Sequence, residues 1–188
     1  MNWRVSRRRI ASSMTTPIYK GDAVVPVIST ANGYIRQATA STTTGAGIFW
    51  GCEYLSTSQK RTVWSQYWPG SDATGDVLAY VIDDPQARFL VQTSGSSFQI
   101  TGTPTNFGSA PVGQLAQLNV GTGSAVTQLS GMYLDTVGTT NTFPFQIVQM
   151  VTDPPGANGS DAASNYNYVI VGFNNEWLRG NSAVTGIS

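Results

Sequence analysis

The side chains that could do chemistry in this chain are ten carboxylates and one cysteine, and none of its 188 residues is a histidine. Without histidine the chain lacks the commonest general base and the commonest transition-metal ligand. Glycoside hydrolysis needs two carboxylates about 5–10 Å apart, one of them with a raised pKa. Most of the acids stand beside Gly, Pro, Ser or Thr, where local hydrogen bonds account for them, and only Glu53 lies inside a predicted strand. We therefore predict no catalytic residue.

The single cysteine and the polar loops give no metal or cofactor signature. Cys52 ends the apolar run 48–52 and is predicted to be a buried, inert thiol. Loop 153–161 offers oxygen ligands for calcium, but its spacing differs from the EF-hand pattern, so an ordinary polar loop is favoured. No zinc spacing occurs. The sequence predicts neither a metal nor a cofactor.

Four of the ten basic residues stand within the first nine positions: Arg4, Arg7, Arg8 and Arg9. Residues 1–16 show no apolar period, which predicts a flexible basic arm. Such an arm is either a solvated tail or a strap that docks on an acidic or polar neighbour. Nucleic acid is the weaker reading, because these arginines stand without interleaved aromatics and the net charge of the chain is zero.

The aromatic residues Trp64, Tyr67 and Trp68 form the second candidate site. Alternation along a predicted strand over 62–68 places Trp64 and Trp68 on one face and Tyr67 on the other. These rings are candidates for a protein interface, for stacking on a sugar, or for the core of a β lobe. Core or interface is favoured over glycan.

The elements that must position these residues are β-strands. Only 11% of the residues are charged, against roughly 25% in an average domain. Short alternating runs recur between Gly, Pro and Asn, which predicts an all-β fold of the β-sandwich, jelly-roll or barrel-like kind with an extended N-terminal arm. The predicted strands are 23–28, 34–38, 48–55, 62–68, 77–82, 88–93, 126–129, 132–134, 145–151 and 166–173. One short helix is allowed after Ser109 and Pro111, carrying Val112, Leu115 and Leu118.

The predicted organisation follows from these runs. It comprises a basic arm over 1–16, a β domain over 17–175 and a C-terminal tail over 176–188, with possible lobes 18–93 and 112–175. No internal repeat of fixed period is visible. No apolar stretch reaches the roughly 20 residues that a membrane-spanning helix needs. Arg7-Arg8-Arg9 is not followed by the apolar region of an export signal, so assembly in the cytoplasm is expected.

Several runs of the chain resemble small virion proteins of tailed phages, the capsid decoration (cement) proteins. The resemblance covers most of 18–175 and rests on strand-and-turn patterns. The matching runs are 21–24, 47–54, 107–108, 112–118, 121–124, 129–135, 145–148 and 168–174; they include Gly47-Ile48-Phe49-Trp50-Gly51, Leu129-Ser130-Gly131-Met132-Tyr133 and Tyr168-Val169-Ile170-Val171-Gly172.

The resemblance implies a protein that binds the outer surface of a phage capsid and stabilises the joints between major capsid proteins, as trimers or dimers. The arginines of the arm would then contact the capsid. A neutral β-rich clamp suits this task, because few charges must be desolvated when large surfaces pair. The alternative is a carbohydrate- or receptor-binding β module of a phage fibre or tailspike, which exposed Trp64 and Trp68 would favour.

Overall fold

The computed structural model describes residues 4–27, 33–94, 112–151 and 165–176. Within these ranges the chain forms eleven β-strands and no helix. The strands are β1 (Val5–Ile10), β2 (Ala23–Pro26), β3 (Ile35–Gln37), β4 (Gly47–Leu55), β5 (Thr62–Ser65), β6 (Val77–Ile82), β7 (Arg88–Gln92), β8 (Leu115–Asn119), β9 (Tyr133–Gly138), β10 (Phe145–Met150) and β11 (Tyr168–Phe173).

The strands form two antiparallel sheets. The first sheet has the order β1-β6-β4-β2-β3, with β5 added to β4, and the second has the order β7-β11-β10-β8-β9. Among the described residues the outermost strands of each sheet do not pair in a ladder, so neither sheet is a closed barrel. The all-β fold class that the sequence predicts is confirmed.

Each sheet belongs to its own compact unit. The first unit comprises 1–39, 45–84 and 120–132, and the second comprises 40–44, 85–119 and 133–188. These units differ from the suggested lobes 18–93 and 112–175, because β7 joins the second unit and the segment 120–132 returns to the first. That return is fixed by Lys20, whose backbone bonds to Gln128 and Ser130.

The two units share one strand order that the sequence does not reveal. Counted within each unit, and leaving β5 aside, both sheets read first, fifth, fourth, second, third strand. In both, one parallel bridge links the chain near the two outermost strands: Arg9 to Tyr34 in the first unit and Thr93 to Leu134 in the second. Both sheets also carry a bulge at the same place, Trp50 in β4 against β6 and Val148 in β10 against β11. The fold therefore repeats a five-stranded plan without repeating its sequence.

The core of the first unit lies on the inner face of its sheet. It contains Phe49 and Cys52 of β4, Val77 and Ala79 of β6, and Ile10 of β1, all fully or nearly fully buried. The alternation that buries every second residue of β4 and β6 leaves the opposite face to solvent, and this is the face that positions the candidate site.

The N-terminal segment forms β1, so the prediction of a flexible arm is wrong for residues 5–10. β1 pairs with β6 along its whole length, from Val5 opposite Ile82 to Ile10 opposite Val77. Arg8 and Ile10 point to the inner side, and the long apolar stem of an arginine can cover a core while its guanidinium reaches out. Inward and outward residues do alternate along β1, but the inward Arg8 does not read as apolar in the sequence.

The short helix proposed after Ser109 and Pro111 is also wrong for its residues from 112 onward, which the structure describes. Leu115 and Leu118 lie in strand β8, paired with β9 and β10. Ser109 and Pro111, loop 153–161 and the tail beyond Glu176 lie outside the described residues.

Candidate interaction surface

The candidate site lies on the outer face of the first sheet, where a cation and two aromatic rings meet across neighbouring strands. Arg7 on β1 stands opposite Tyr80 on β6, and its guanidinium carbon lies 5.9 Å from the centre of the Tyr80 ring. Tyr80 in turn stands opposite Gly51 on β4. The Trp64 ring, from β5, lies with its centre 5.1 Å from that of Tyr80 at an interplanar angle of 62°.

The Trp64 indole packs against Gly51, in the space that a side chain would fill. A Cβ atom at this position would lie 2.7 Å from Cζ2 of Trp64 and 2.9 Å from the carbonyl oxygen of Ser65, so any side chain here would displace the indole. The missing side chain lets the ring lie close against β4 and still keep 51% of its surface exposed. The sequence thus builds a fixed aromatic platform rather than a mobile surface tryptophan.

The bulge in β4 adds a second pair of a cation and a ring. It turns Trp50 outward, where 42% of its surface is exposed. The ammonium nitrogen of Lys20 lies 4.0 Å from the centre of the Trp50 ring. We refer to Arg7, Tyr80, Trp64, Trp50 and Lys20 together as the cation–aromatic row.

The charges of the row are open to a partner. The salt bridges of the described residues involve Arg4, Arg8 and Arg9, and neither Arg7 nor Lys20 takes part in one. The row's own carboxylate is Glu53, whose Oε2 accepts a hydrogen bond of 3.2 Å from the Tyr80 hydroxyl. The surface therefore offers two cations, the partly exposed rings of Trp64 and Trp50, and one acceptor carboxylate.

The other arginines of the predicted arm are used inside the first unit. Arg4 and Arg8 both bind Asp83, with Nε of Arg4 3.0 Å from Oδ1 and an Nη of Arg8 3.1 Å from Oδ2. Arg9 lies 3.8 Å from Asp76. The four neighbouring arginines therefore have different roles. Arg4 and Arg8 pair with Asp83 directly after β6, whereas Arg7 belongs to the cation–aromatic row.

Trp64 and Trp68 do not share one face, so the alternation expected over 62–68 is wrong. Trp64 is exposed, but Trp68 is fully buried, with its indole nitrogen donating to the carbonyl oxygen of Met14 at 3.1 Å. Tyr67 stacks on Tyr19 with ring centres 5.5 Å apart. The reason is that β5 ends at Ser65, so the period of two does not continue to Trp68.

Two acids that the sequence assigned to turns are buried. Asp83 is the carboxylate that Arg4 and Arg8 share. Asp22 accepts hydrogen bonds from the Tyr19 amide, the Gln37 side chain and the Ser130 hydroxyl. Burial raises the pKa of Asp22, and these hydrogen bonds oppose the rise. Both are structural acids of the first unit.

The chemistry-bearing groups do not gather elsewhere in the described part of the chain. No three His, Cys, Asp or Glu side chains lie close enough there to hold a metal ion. Cys52 is buried, and its burial raises the pKa of the thiol to about 12, which keeps it protonated near neutral pH. In the same ranges no helix is long and apolar enough to span a bilayer.

The second sheet carries a different surface at the same positions. Leu90 on β7 stands opposite Ile170 on β11, beside the outward bulge residue Val148 of β10. Leu90 is 65% exposed, Val148 is 40% exposed and Ile170 is half-buried. We refer to these three residues as the aliphatic row.

Sequence reasoning found Trp64, with Trp50 near it, and Arg7, but it did not bring Tyr80 and Lys20 into one site with them. The available signal was the alternation of Val77, Ala79 and Val81 with outward Leu78 and Tyr80. It gives the face, but only the strand register brings Tyr80 beside Arg7. Comparisons with known proteins add nothing to this geometry, because no family model, curated protein or solved structure matches the chain.

Proposed function

We propose that this chain is a structural virion protein that binds the outer surface of a tailed-phage capsid and stabilises contacts between major capsid proteins. The observation that supports it best is the aliphatic row. Leu90, Val148 and Ile170 place uncharged aliphatic side chains side by side on the outer face of the second sheet. Exposed apolar surface of this kind is typical of a protein interface.

The occupant we assign to the aliphatic row is the major capsid protein. Burying the row removes apolar surface from water at roughly 25 cal/mol per Å² and requires no charge of the row itself to be desolvated. The whole chain carries only 11% charged residues, and Arg88, two residues before Leu90 on the exposed face of β7, is a charged neighbour of the row. The capsid assignment itself comes from the resemblance to decoration proteins.

The test is the substitution Leu90→Lys, measured by co-sedimentation of the purified protein with expanded capsids of the cognate phage. Because a lysine ammonium in the interface must be desolvated, we expect capsid binding to weaken by about tenfold or more. Val126→Lys is the matched control, since Val126 is 93% exposed and lies outside the row. Capsid binding that is equally tight in Leu90→Lys, or absent in the unsubstituted protein, would overturn the proposal.

Self-association is part of the same proposal. Decoration by trimers or dimers predicts that the isolated protein sediments above monomer mass at micromolar concentration. A clean monomer across that range would contradict this part and leave the capsid contact to the co-sedimentation test.

A second function is favoured by a separate observation. The cation–aromatic row offers the exposed Trp64 ring beside hydrogen-bonding groups, which suits a carbohydrate- or receptor-binding module. A glycan-binding surface on the first sheet and a capsid-binding surface on the second are compatible within one virion protein.

A further inference from the structure

We propose that the cation–aromatic row is a binding site for an acidic saccharide, a chain that contains uronic acid units. This inference deepens the second function above and does not depend on capsid attachment. Its first support is Trp64, whose half-exposed indole is held in place by Gly51 beneath it and Tyr80 beside it. The C–H face of a sugar ring stacks on such an indole, and a platform fixed in advance loses little entropy on binding.

The sign of the ligand's charge follows from the cations. Arg7 and Lys20 each lie over an aromatic ring, and neither takes part in a salt bridge among the described residues. A guanidinium and an ammonium group bind carboxylates with charge-assisted hydrogen bonds. The two cations stand at opposite ends of the row, so they suit a ligand with more than one carboxylate.

The length of the row points to a chain rather than a single sugar. Arg7 is on β1 and Trp50 is on β4, with β6 between them. Two strand spacings of ~4.8 Å give about 10 Å from β1 to β4, and Lys20 lies beyond Trp50. A saccharide of several units crossing the strands can therefore stack on Trp64, contact the exposed part of Trp50 and reach both cations.

Glu53 decides between a saccharide and a nucleic acid. Aromatic rings interleaved with cations also suit a single-stranded nucleic acid, in which bases stack and phosphates pair with the cations. However, the Glu53 carboxylate lies within the row, bonded to the Tyr80 hydroxyl. A carboxylate accepts hydrogen bonds from hydroxyl groups, which every unit of a saccharide carries. A single-stranded nucleic acid places a charged phosphate on every nucleotide, and its donors lie on the bases, which would be stacked on the rings. The row therefore fits an acidic saccharide better.

The experiment titrates the full chain with three uronic-acid probes, oligogalacturonate, oligomannuronate and hyaluronan fragments, using tryptophan fluorescence and calorimetry. Maltohexaose is the neutral probe and a dT12 oligonucleotide is the nucleic-acid probe. We expect at least one uronic-acid probe to bind more tightly than maltohexaose and dT12. Trp64→Ala should weaken that binding by about tenfold or more, in the range seen when a stacking ring is removed.

Two further substitutions assign the polar roles. Arg7→Gln should weaken acidic-saccharide binding and reduce its dependence on salt, because one charge pair is lost. Glu53→Gln should weaken saccharide binding while improving any residual binding of dT12. Tyr166→Ala, at an exposed tyrosine of the second unit, is the matched control and should change nothing.

The overturning outcomes are distinct from those of the capsid test. Failure of all three uronic-acid probes, tighter binding of dT12, or equal binding of maltohexaose would each overturn the assignment. So would unchanged saccharide binding in a Trp64→Ala protein whose far-UV spectrum and unfolding midpoint show that it is folded. Leu90→Lys should leave saccharide binding intact, so loss of capsid binding and loss of saccharide binding report on different surfaces.

Discussion

At the bulge of the fourth strand, the first unit exposes Trp50 and the second exposes Val148. The difference continues across the sheet. Arg7 and Tyr80 on the first sheet occupy the positions of Leu90 and Ile170 on the second. The same strand order, register and bulge therefore present a cation–aromatic surface in one unit and an aliphatic surface in the other. The backbone plan fixes where side chains point outward, and the outward residues alone decide what each surface can bind.

The ends of the fifth strands differ in the same way. Asp83 follows β6 in the first unit, at the position that Phe173 occupies at the end of β11 in the second. Asp83 binds Arg4 and Arg8, whereas Phe173 packs against Phe89 and Phe145, with ring centres 5.2 and 5.8 Å apart. A buried carboxylate must be paired to be tolerated, so the first unit depends on its N-terminal arginines in a way the second does not.

The largest effect is expected from a chain that begins at Thr16 and so lacks β1. Loss of the buried Ile10 alone costs about 2–5 kcal/mol, and β6 loses its neighbour as well. Since a whole domain is stable by only about 5–15 kcal/mol, we expect the first unit to lose its cooperative unfolding transition. Urea unfolding followed by tryptophan fluorescence measures this.

A chain that begins at Arg4 is the control for this truncation, because it keeps β1 and its pairing with β6. It should unfold at the urea midpoint of the full chain. If the chain that begins at Thr16 does so too, β1 contributes nothing and the segment is the solvated arm that its composition suggests.

The next effect is expected from Asp83→Ala. The substitution removes a fully buried carboxylate and leaves two guanidinium groups without it, for which we expect a loss of about 3 kcal/mol in the free energy of unfolding. Asp135→Ala is the matched control, because Asp135 is exposed and accepts a hydrogen bond from the Ser94 hydroxyl; its cost should stay below about 1 kcal/mol. Equal losses in the two variants would show that the buried ion pair has no special weight.

The success and failure of sequence reasoning follow from the same physics. Alternation located β4, β6, β10 and β11 to within a few residues, because one face of each is buried. It missed β1, where the stem of Arg8 takes an inward position beside Ile10, and it allowed a helix at β8 because Leu115 and Leu118 also fit a helical spacing.

The candidate site was harder to predict than the strands. Arg7, Tyr80 and Trp64 lie far apart in the chain and meet only through the register of β1, β6, β4 and β5. No local pattern encodes that register. The shared plan of the two units is invisible for a similar reason, since strand order and bulge position can be kept while nearly every side chain changes.

A smaller difference in stability is expected between substitutions at the residue that follows each bulge. Gly51→Ala places a Cβ against the Trp64 indole and the Ser65 carbonyl, so we expect a loss of about 1–3 kcal/mol and a shifted tryptophan emission. Gln149→Ala, at the equivalent position of the second sheet, lies at an exposed site and should stay within about 0.5 kcal/mol. A Gly51→Ala protein with unchanged stability and emission would mean that the Trp64 indole does not pack against Gly51 of β4.

The smallest effect concerns the pH dependence that Asp22 gives to the stability of the first unit. Burial holds its pKa above the ordinary value of 3.8 in the folded state, so the folded protein binds this proton more readily than the unfolded chain. Its stabilising contribution is therefore full below pH 3.8 and is lost as pH rises through the folded pKa. Asp22→Asn cannot titrate, yet its amide can still accept from the Tyr19 amide and donate to the Ser130 hydroxyl. At neutral pH we expect the free energy of unfolding of the variant to lie within about 1 kcal/mol of that of the parent chain.

The measurement is urea unfolding of the parent and of Asp22→Asn from pH 3 to pH 7. The difference in their free energies of unfolding should move in favour of the variant as pH rises. A difference that is flat with pH, or that moves toward the parent, would mean that Asp22 does not carry a raised pKa.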